Sequence, residues 1–153
     1  MSKALSIKVF SDGAVLETML HDLNSGLVTG FTTNPSLMKK AGITSYIGFA
    51  KDVLKEITDY PVSFEVFADD LEGMEQEARR IAALGDNVYV KIPVTNSKGE
   101  STAPLIDRLT AEGIKVNVTA IFTVEQVREV VDVLKSGTPA VVSVFAGRIA
   151  DTG

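Results

Sequence analysis

Residues 87–96 read NVYVKIPVTN, and no other stretch restricts the fold of this chain so tightly. Its middle is β-branched and apolar on both alternating sets of positions, the composition of a strand covered on both faces. Side chains alternate along a strand, so Val88, Val90 and Ile92 share one face while Tyr89 and Lys91 share the other. Lys91 is therefore expected to point into an interior. An ammonium held in low dielectric loses its hydration, which favours the neutral amine, and a neutral amine can attack a carbonyl. Two readings stand side by side here: a Schiff-base nucleophile, or a lysine at a strand end whose head reaches water or pairs with a carboxylate. Pro93 has no N–H for a ladder and ends the strand just past Lys91, which puts the amine at the strand's C-terminal end.

Composition narrows the chemistry. The 153 residues are 45% hydrophobic and 23% charged, which suits one globular domain, over 1–153, with a real core. The formal net charge of −5 and the lack of a Lys/Arg stripe argue against nucleic acid as a partner. Cysteine is absent, which removes disulfides, thiol nucleophiles and cysteine–zinc sites, and the single His21 removes a histidine metal cluster. A base is then a carboxylate or an amine. No run approaches the roughly 18 apolar residues of a membrane span, and the N-terminal residues lack the apolar core of a signal peptide, so no membrane is expected and the cytoplasm is the default location.

Strand and helix signals alternate along the chain. Strands are expected over 6–10, 27–31, 62–67, the Lys91 segment, 115–121 and 138–145. Between them run helical patterns: Val15, Met19, Leu20 and Leu23; a helix opened by Asn34 as N-cap and Pro35 and closed at Gly42; one over 44–57 burying Ile47, Val53, Leu54 and Ile57. Asp69 and Asp70 open the next, which closes at Gly85. Ser97 with Glu100, and Thr123 with Gln126, form capping boxes for the last two, stopped by Gly113 and Gly137; the second carries a stripe of Val124, Val127, Val131 and Leu134. Residues 146–153 read as a polar loop.

Such alternation means a parallel sheet with helices on its faces. An open doubly wound sheet binds at one switch point. A (β/α)8 barrel instead gathers residues from many strand ends into one mouth and usually takes about 200 to 250 residues. Here polar groups recur at nearly all the expected strand ends: Asp12, then Thr32 and Asn34, Glu65, Lys91, Asn117 with Thr119, and Ser143. That is the habit of a barrel. Each alone has an ordinary explanation, such as Asp12 and Asn34 capping helices, Thr119 as a β former or Ser143 as a small core polar group. Together they offer two carboxylates, Asp12 and Glu65, beside an amine, enough for imine chemistry without a metal. Lys39, Lys40, Glu75, Glu77, Arg79, Arg80 and His21 read as solvated faces. Gly147-Arg148 offers a phosphate clamp, with a salt bridge from Arg148 to Asp151 as the alternative.

The segments SDGA, GFTTNPSL, SFEVFA, YVKIPVTN, VNVTAIFT and SVFAGRIAD, in this order and spacing, resemble the transaldolase family, in the small-subunit branch that includes fructose-6-phosphate aldolase. The resemblance runs the length of the chain. It implies a class I, Schiff-base enzyme on an α/β fold of (β/α)8 TIM-barrel type, with neither metal nor organic cofactor. Such an enzyme moves a dihydroxyacetone unit between sugar phosphates (fructose 6-phosphate, sedoheptulose 7-phosphate, erythrose 4-phosphate, glyceraldehyde 3-phosphate) in the non-oxidative pentose phosphate pathway.

By position, the resemblance makes Lys91 the imine former and Asp12 the group that takes and returns the sugar hydroxyl proton. Glu65 and Thr119 would handle the water of imine formation and hydrolysis. Asn34 and Asn117 would bind the dihydroxyacetone hydroxyls, and Ser143 and Arg148 the phosphate, with Thr32 and Phe145 also lining the substrate. The aldolases of the branch tend to carry Gln at Glu65 and Tyr at Phe145, so these two favour transaldolase over fructose-6-phosphate aldolase. The chain departs from the usual SPF at Ser143-Val144-Phe145 and has Ala150 before Asp151 where two acids are usual. It also carries about six βα units, so the last two of a full barrel and a further phosphate-binding arginine are missing. Strands one and six are then expected to be sticky edges, and the chain to form a homo-oligomer or to be part of a longer protein. Two other readings remain: an idle remnant that binds sugar phosphate or self-assembles, and an open-sheet phosphate-binding domain using Asp12, Asp69 and Asp70.

Overall fold

A computed structural model describes residues 6–135 and 137–153. They form six strands and seven helices. In chain order these are β1 (Phe10–Asp12), α1 (Leu16–Asn24), β2 (Gly30–Thr32), α2 (Pro35–Lys40), α3 (Tyr46–Glu56), β3 (Val62–Glu65), α4 (Leu71–Ala82), β4 (Val88–Pro93), α5 (Ala103–Ala111), β5 (Val116–Ile121), α6 (Val124–Val133), β6 (Ala140–Val144) and α7 (Ala146–Asp151). The chain divides into two compact units. One holds the residues up to Glu65 together with Ala83–Val88, and the other Val66–Ala82 with Tyr89–Gly153.

In the first unit β1 pairs β2 and β2 pairs β3, all parallel, with Asp12 opposite Thr32 and Thr32 opposite Ser63. In-register neighbours share a face, so Phe10, Asp12, Gly30, Thr32, Ser63 and Glu65 lie on one side. Phe31, Val62 and Phe64 lie on the other, fully buried. Gly30 is needed for its size: a Cβ there would lie 2.3 Å from the Phe10 ring. The unit closes around Asn87, whose side-chain amide donates to the carbonyls of Ile57 and Tyr60 at 2.8 Å each.

In the second unit β4 pairs β5 and β5 pairs β6, again parallel. Val90, Ile92, Val116, Val118 and Ile121 are buried, and α5 and α6 pack on β5. Outside the sheet a charged lattice ties two helices together. Glu75 of α4 accepts from Arg79 and from Arg108 of α5 at 2.7 Å each, and Arg79 also meets Glu112. The helices are thus held by burial beneath and by charge at the rim.

Val66, the residue after β3, donates to the carbonyl of Lys91 at 3.1 Å. The fold is an α/β fold of TIM-barrel type with six βα units.

Several local expectations are corrected. β1 and β2 begin later than expected, because the side chain of Thr29 takes Val9 N–H at 3.2 Å and Ile7 and Leu27 are exposed. β3 stops at Glu65, beyond which Glu77 accepts the N–H groups of Phe67 and Ala68. Ile47, Val124 and Val131 are exposed; Ala50 and Val53 make the buried stripe of α3, and Val130 is the buried residue of α6. The Ser97–Glu100 box does not form, since Asp69 takes both the N–H and the hydroxyl of Ser97, and Asn96 bonds Glu100. Residues 146–151 are a short helix, not a loop. The other caps hold: Asn34 accepts from Leu37 N–H at 3.0 Å, and Thr123 with Gln126 forms a complete box.

Candidate active site

The second unit carries a polar face. Lys91 registers with Asn117 and Asn117 with Val141; one pair further on, Pro93 registers with Thr119. Lys91, Asn117, Thr119 and Ser143 therefore share one side of the sheet, while Ile92, Val118 and Val142 face the helices. Lys91 is 8% exposed, Asn117 1% and Thr119 2%. The lysine does not snorkel to the surface. One row back, the Lys115 ammonium sits 5.9 Å from the centre of the Tyr89 ring, so aromatic density floors this face.

Ser143 donates to the Asn117 side-chain oxygen at 2.7 Å, which locks the amide in one orientation beside Lys91. Thr119 Oγ1 is buried without a hydrogen-bond partner among the described residues. A buried hydroxyl with unspent donor and acceptor capacity is costly, and it is suited to a transient water or substrate oxygen. Phe145 follows β6, its N–H bonded to Ile121 at 2.8 Å and its ring edge-on to Phe122 at 5.7 Å. Arg148 lies exposed on α7, and among the described residues no ion pair joins it to Asp151.

The first unit carries the carboxylates. Asp12 ends β1 and accepts a 2.7 Å hydrogen bond from the Thr32 hydroxyl directly across the ladder, so its orientation is fixed by its own register partner. Asn34 spends its side-chain oxygen on the α2 cap, accepting from Leu37 N–H. Glu65 ends β3, half-buried, with its backbone carbonyl held by the Tyr46 hydroxyl at 2.6 Å. The structure thus couples Asp12 with Thr32, and Lys91, Asn117 and Ser143 along one face.

Three residues near these groups carried no signal in the sequence. Tyr46 braces Glu65 and sits edge-on to Phe64 at 6.2 Å, from a helix with no motif to mark it. Thr33 is fully buried with Oγ1 unpartnered among the described residues, beside the cap signal that drew attention to Asn34. Phe122 flanks Phe145. Asp69 and Asp70, considered for an acidic cluster, are engaged locally: the first by Ser97, the second by the N–H of Gly73 in the opening turn of α4. The two Ser97 bonds hold the Asp69 carboxyl below the usual aspartate range.

Parallel βα repeats of this kind belong to the class of α/β folds of TIM-barrel type. Comparison gives the family. A profile described as Transaldolase/Fructose-6-phosphate aldolase matches residues 9–153, and the chain belongs to this family. A probable transaldolase of Methanococcus maripaludis (strain C7) is 43% identical over 150 residues, covering 96% of this chain and 64% of that protein. One from Thermoplasma volcanium is 40% identical over 149 residues, covering 96% and 63%. One from Thermoanaerobacter sp. (strain X514) is 39% identical over 146 residues, covering 95% and 62%. The chain thus spans somewhat under two thirds of the length of these relatives.

Proposed function

We propose that the chain carries transaldolase chemistry, transferring a dihydroxyacetone unit between sugar phosphates through an imine on Lys91, within a single barrel domain. The observation that carries this reading is the burial of Lys91 on a face shared with Asn117, Thr119 and Ser143. The neutral amine attacks the ketose carbonyl, and water leaves as the imine forms, with Glu65 and Thr119 handling its protons. Asp12 then takes the proton of the hydroxyl two carbons from the imine carbon. The carbon–carbon bond between them breaks, an aldose leaves, and the bonding pair flows into the protonated imine to give an enamine. With an acceptor aldose the steps reverse: the enamine carbon attacks the aldehyde, Asp12 returns its proton, and water hydrolyses the imine. The Thr32 hydroxyl holds the carboxylate of Asp12 in one orientation for both transfers, which limits reorganisation at the moment of reaction.

Asn34 and Asn117 bind the hydroxyls of the transferred unit, and Ser143 and Arg148 the phosphate, with Phe145 against the carbon chain. No step calls for a metal. The names of the relatives favour transfer over simple aldol cleavage. The test follows sedoheptulose 7-phosphate formed from fructose 6-phosphate and erythrose 4-phosphate. Product from the parent chain and none from Lys91→Met supports the reading. Triose released without transfer points to the aldolase, and binding without either contradicts catalysis.

A further inference from the structure

β5 carries one residue too many. Val118 registers with Val142 and Ile121 with Val144, so three steps along β5 match two along β6 and the pairing shifts between them. The extra residue is accommodated at Ala120, whose φ of 58° makes it the only non-glycine residue in the left-handed region among those described. An alanine gains nothing locally from that conformation, which side chains with a Cβ rarely adopt.

Its effect is on which way the next residues face. In a regular strand Ile121 would fall on the side of Asn117 and Thr119, and Phe122 on the side of Val118. Because Val142 and Val144 are two apart, their partners Val118 and Ile121 share a face instead. Ile121 is accordingly fully buried, and Phe122 is turned onto the side of Lys91, Asn117 and Ser143, where it meets Phe145 edge-on and stays 46% exposed. Its backbone is fixed from behind, since Gln126 of the α6 capping box accepts the N–H of Phe122 at 2.8 Å as well as that of Thr123.

We propose that Phe122 is a specificity-determining residue that forms, with Phe145, an aromatic wall for the carbon chain of a phosphorylated ketose, and that Ala120 is the positioning residue that puts it there. This rests on the reading that sugar phosphates are bound on the Lys91 face. Phe122 stands about four residue steps beyond the Lys91–Asn117 row once the bulge is discounted, roughly 13 Å along the strand. A three-carbon unit held at Lys91 stops short of it, whereas the distal carbons of a six-carbon phosphate extend toward it. The C–H edges of a sugar pack well on an aromatic ring, and the half-exposed Phe122 provides one.

Borohydride trapping as a function of ligand concentration, with fructose 6-phosphate and with dihydroxyacetone on the same variants, tests this. Phe122→Ala is expected to raise the half-saturating concentration of fructose 6-phosphate about tenfold relative to that of dihydroxyacetone, the loss of about 1.4 kcal/mol of contact. Phe122→Tyr is expected to restore the ratio. Ala120→Val, which disfavours the left-handed backbone, is expected to copy Phe122→Ala, and Ala120→Gly to keep the parent ratio. An unchanged ratio in Phe122→Ala, a substitution at an exposed site, overturns the wall while leaving the Lys91 reading intact. If the parent traps neither ligand, the Lys91 reading fails and the wall falls with it.

Discussion

Asn34 caps a helix and is also proposed to bind the ligand. Its oxygen caps α2, and its amide N–H groups are donors. Asn34→Asp keeps the cap and removes the donors, so thermal stability is expected to hold while transfer falls. Asn34→Ala is expected to lose about 1 kcal/mol of stability as well. Gly30 makes a different demand: Gly30→Ala is expected to cost about 1–3 kcal/mol by overpacking against Phe10, and much less in a Phe10→Ala background, because the two positions share one space. Denaturant midpoints of the four proteins check this. At this scale the burial of Lys91 was legible, because a charge amid β-branched residues has few other places to go. The backbone of Ala120 was not, since alanine gives no sign of a positive φ, and Phe122 was missed with it.

Helix ends and helix seams govern the next scale. The Thr123–Gln126 box formed as its letters implied, but Ser97–Glu100, with the same kind of letters, did not. Asp69, 28 residues away in sequence, claims both polar groups of Ser97, and local spacing carries no notice of such a competitor. The stripe of α6 failed for a related reason: periodicity reports that a helix has an apolar side but not which residues meet the sheet, and Val130 rather than Val124 or Val131 is the one buried. Charges read as merely solvated turn out to stitch α4 to α5. Hydrogen bonds from Arg108 and then Arg79 hold the Glu75 carboxyl below its ordinary range. A carboxyl lowered on folding adds stability above its unfolded titration range and loses it as pH falls through the folded one. The stability gap between the parent and Glu75→Gln is therefore expected to be present at neutral pH, to close below the ordinary glutamate range, and to shrink in high salt, as read from melting temperatures across pH.

For the molecule as a whole, the alternation of strand and helix was readable from glycine stops, caps and short apolar runs, because each βα unit writes its own punctuation. The choice between barrel and open sheet was suggested by polar strand ends and is supported by family membership. Short strands remained out of reach, since three residues such as Phe10–Asp12 carry no period and are strands only through their partners. All the chemistry proposed depends on Lys91 being an amine that a ketose can reach and join. Borohydride reduction in the presence of fructose 6-phosphate, followed by peptide mass mapping, tests this most directly. The account predicts a single dihydroxyacetone-sized adduct on the peptide containing Lys91, lost in Lys91→Arg. A folded chain with no adduct there, or with the adduct on another lysine, would contradict it.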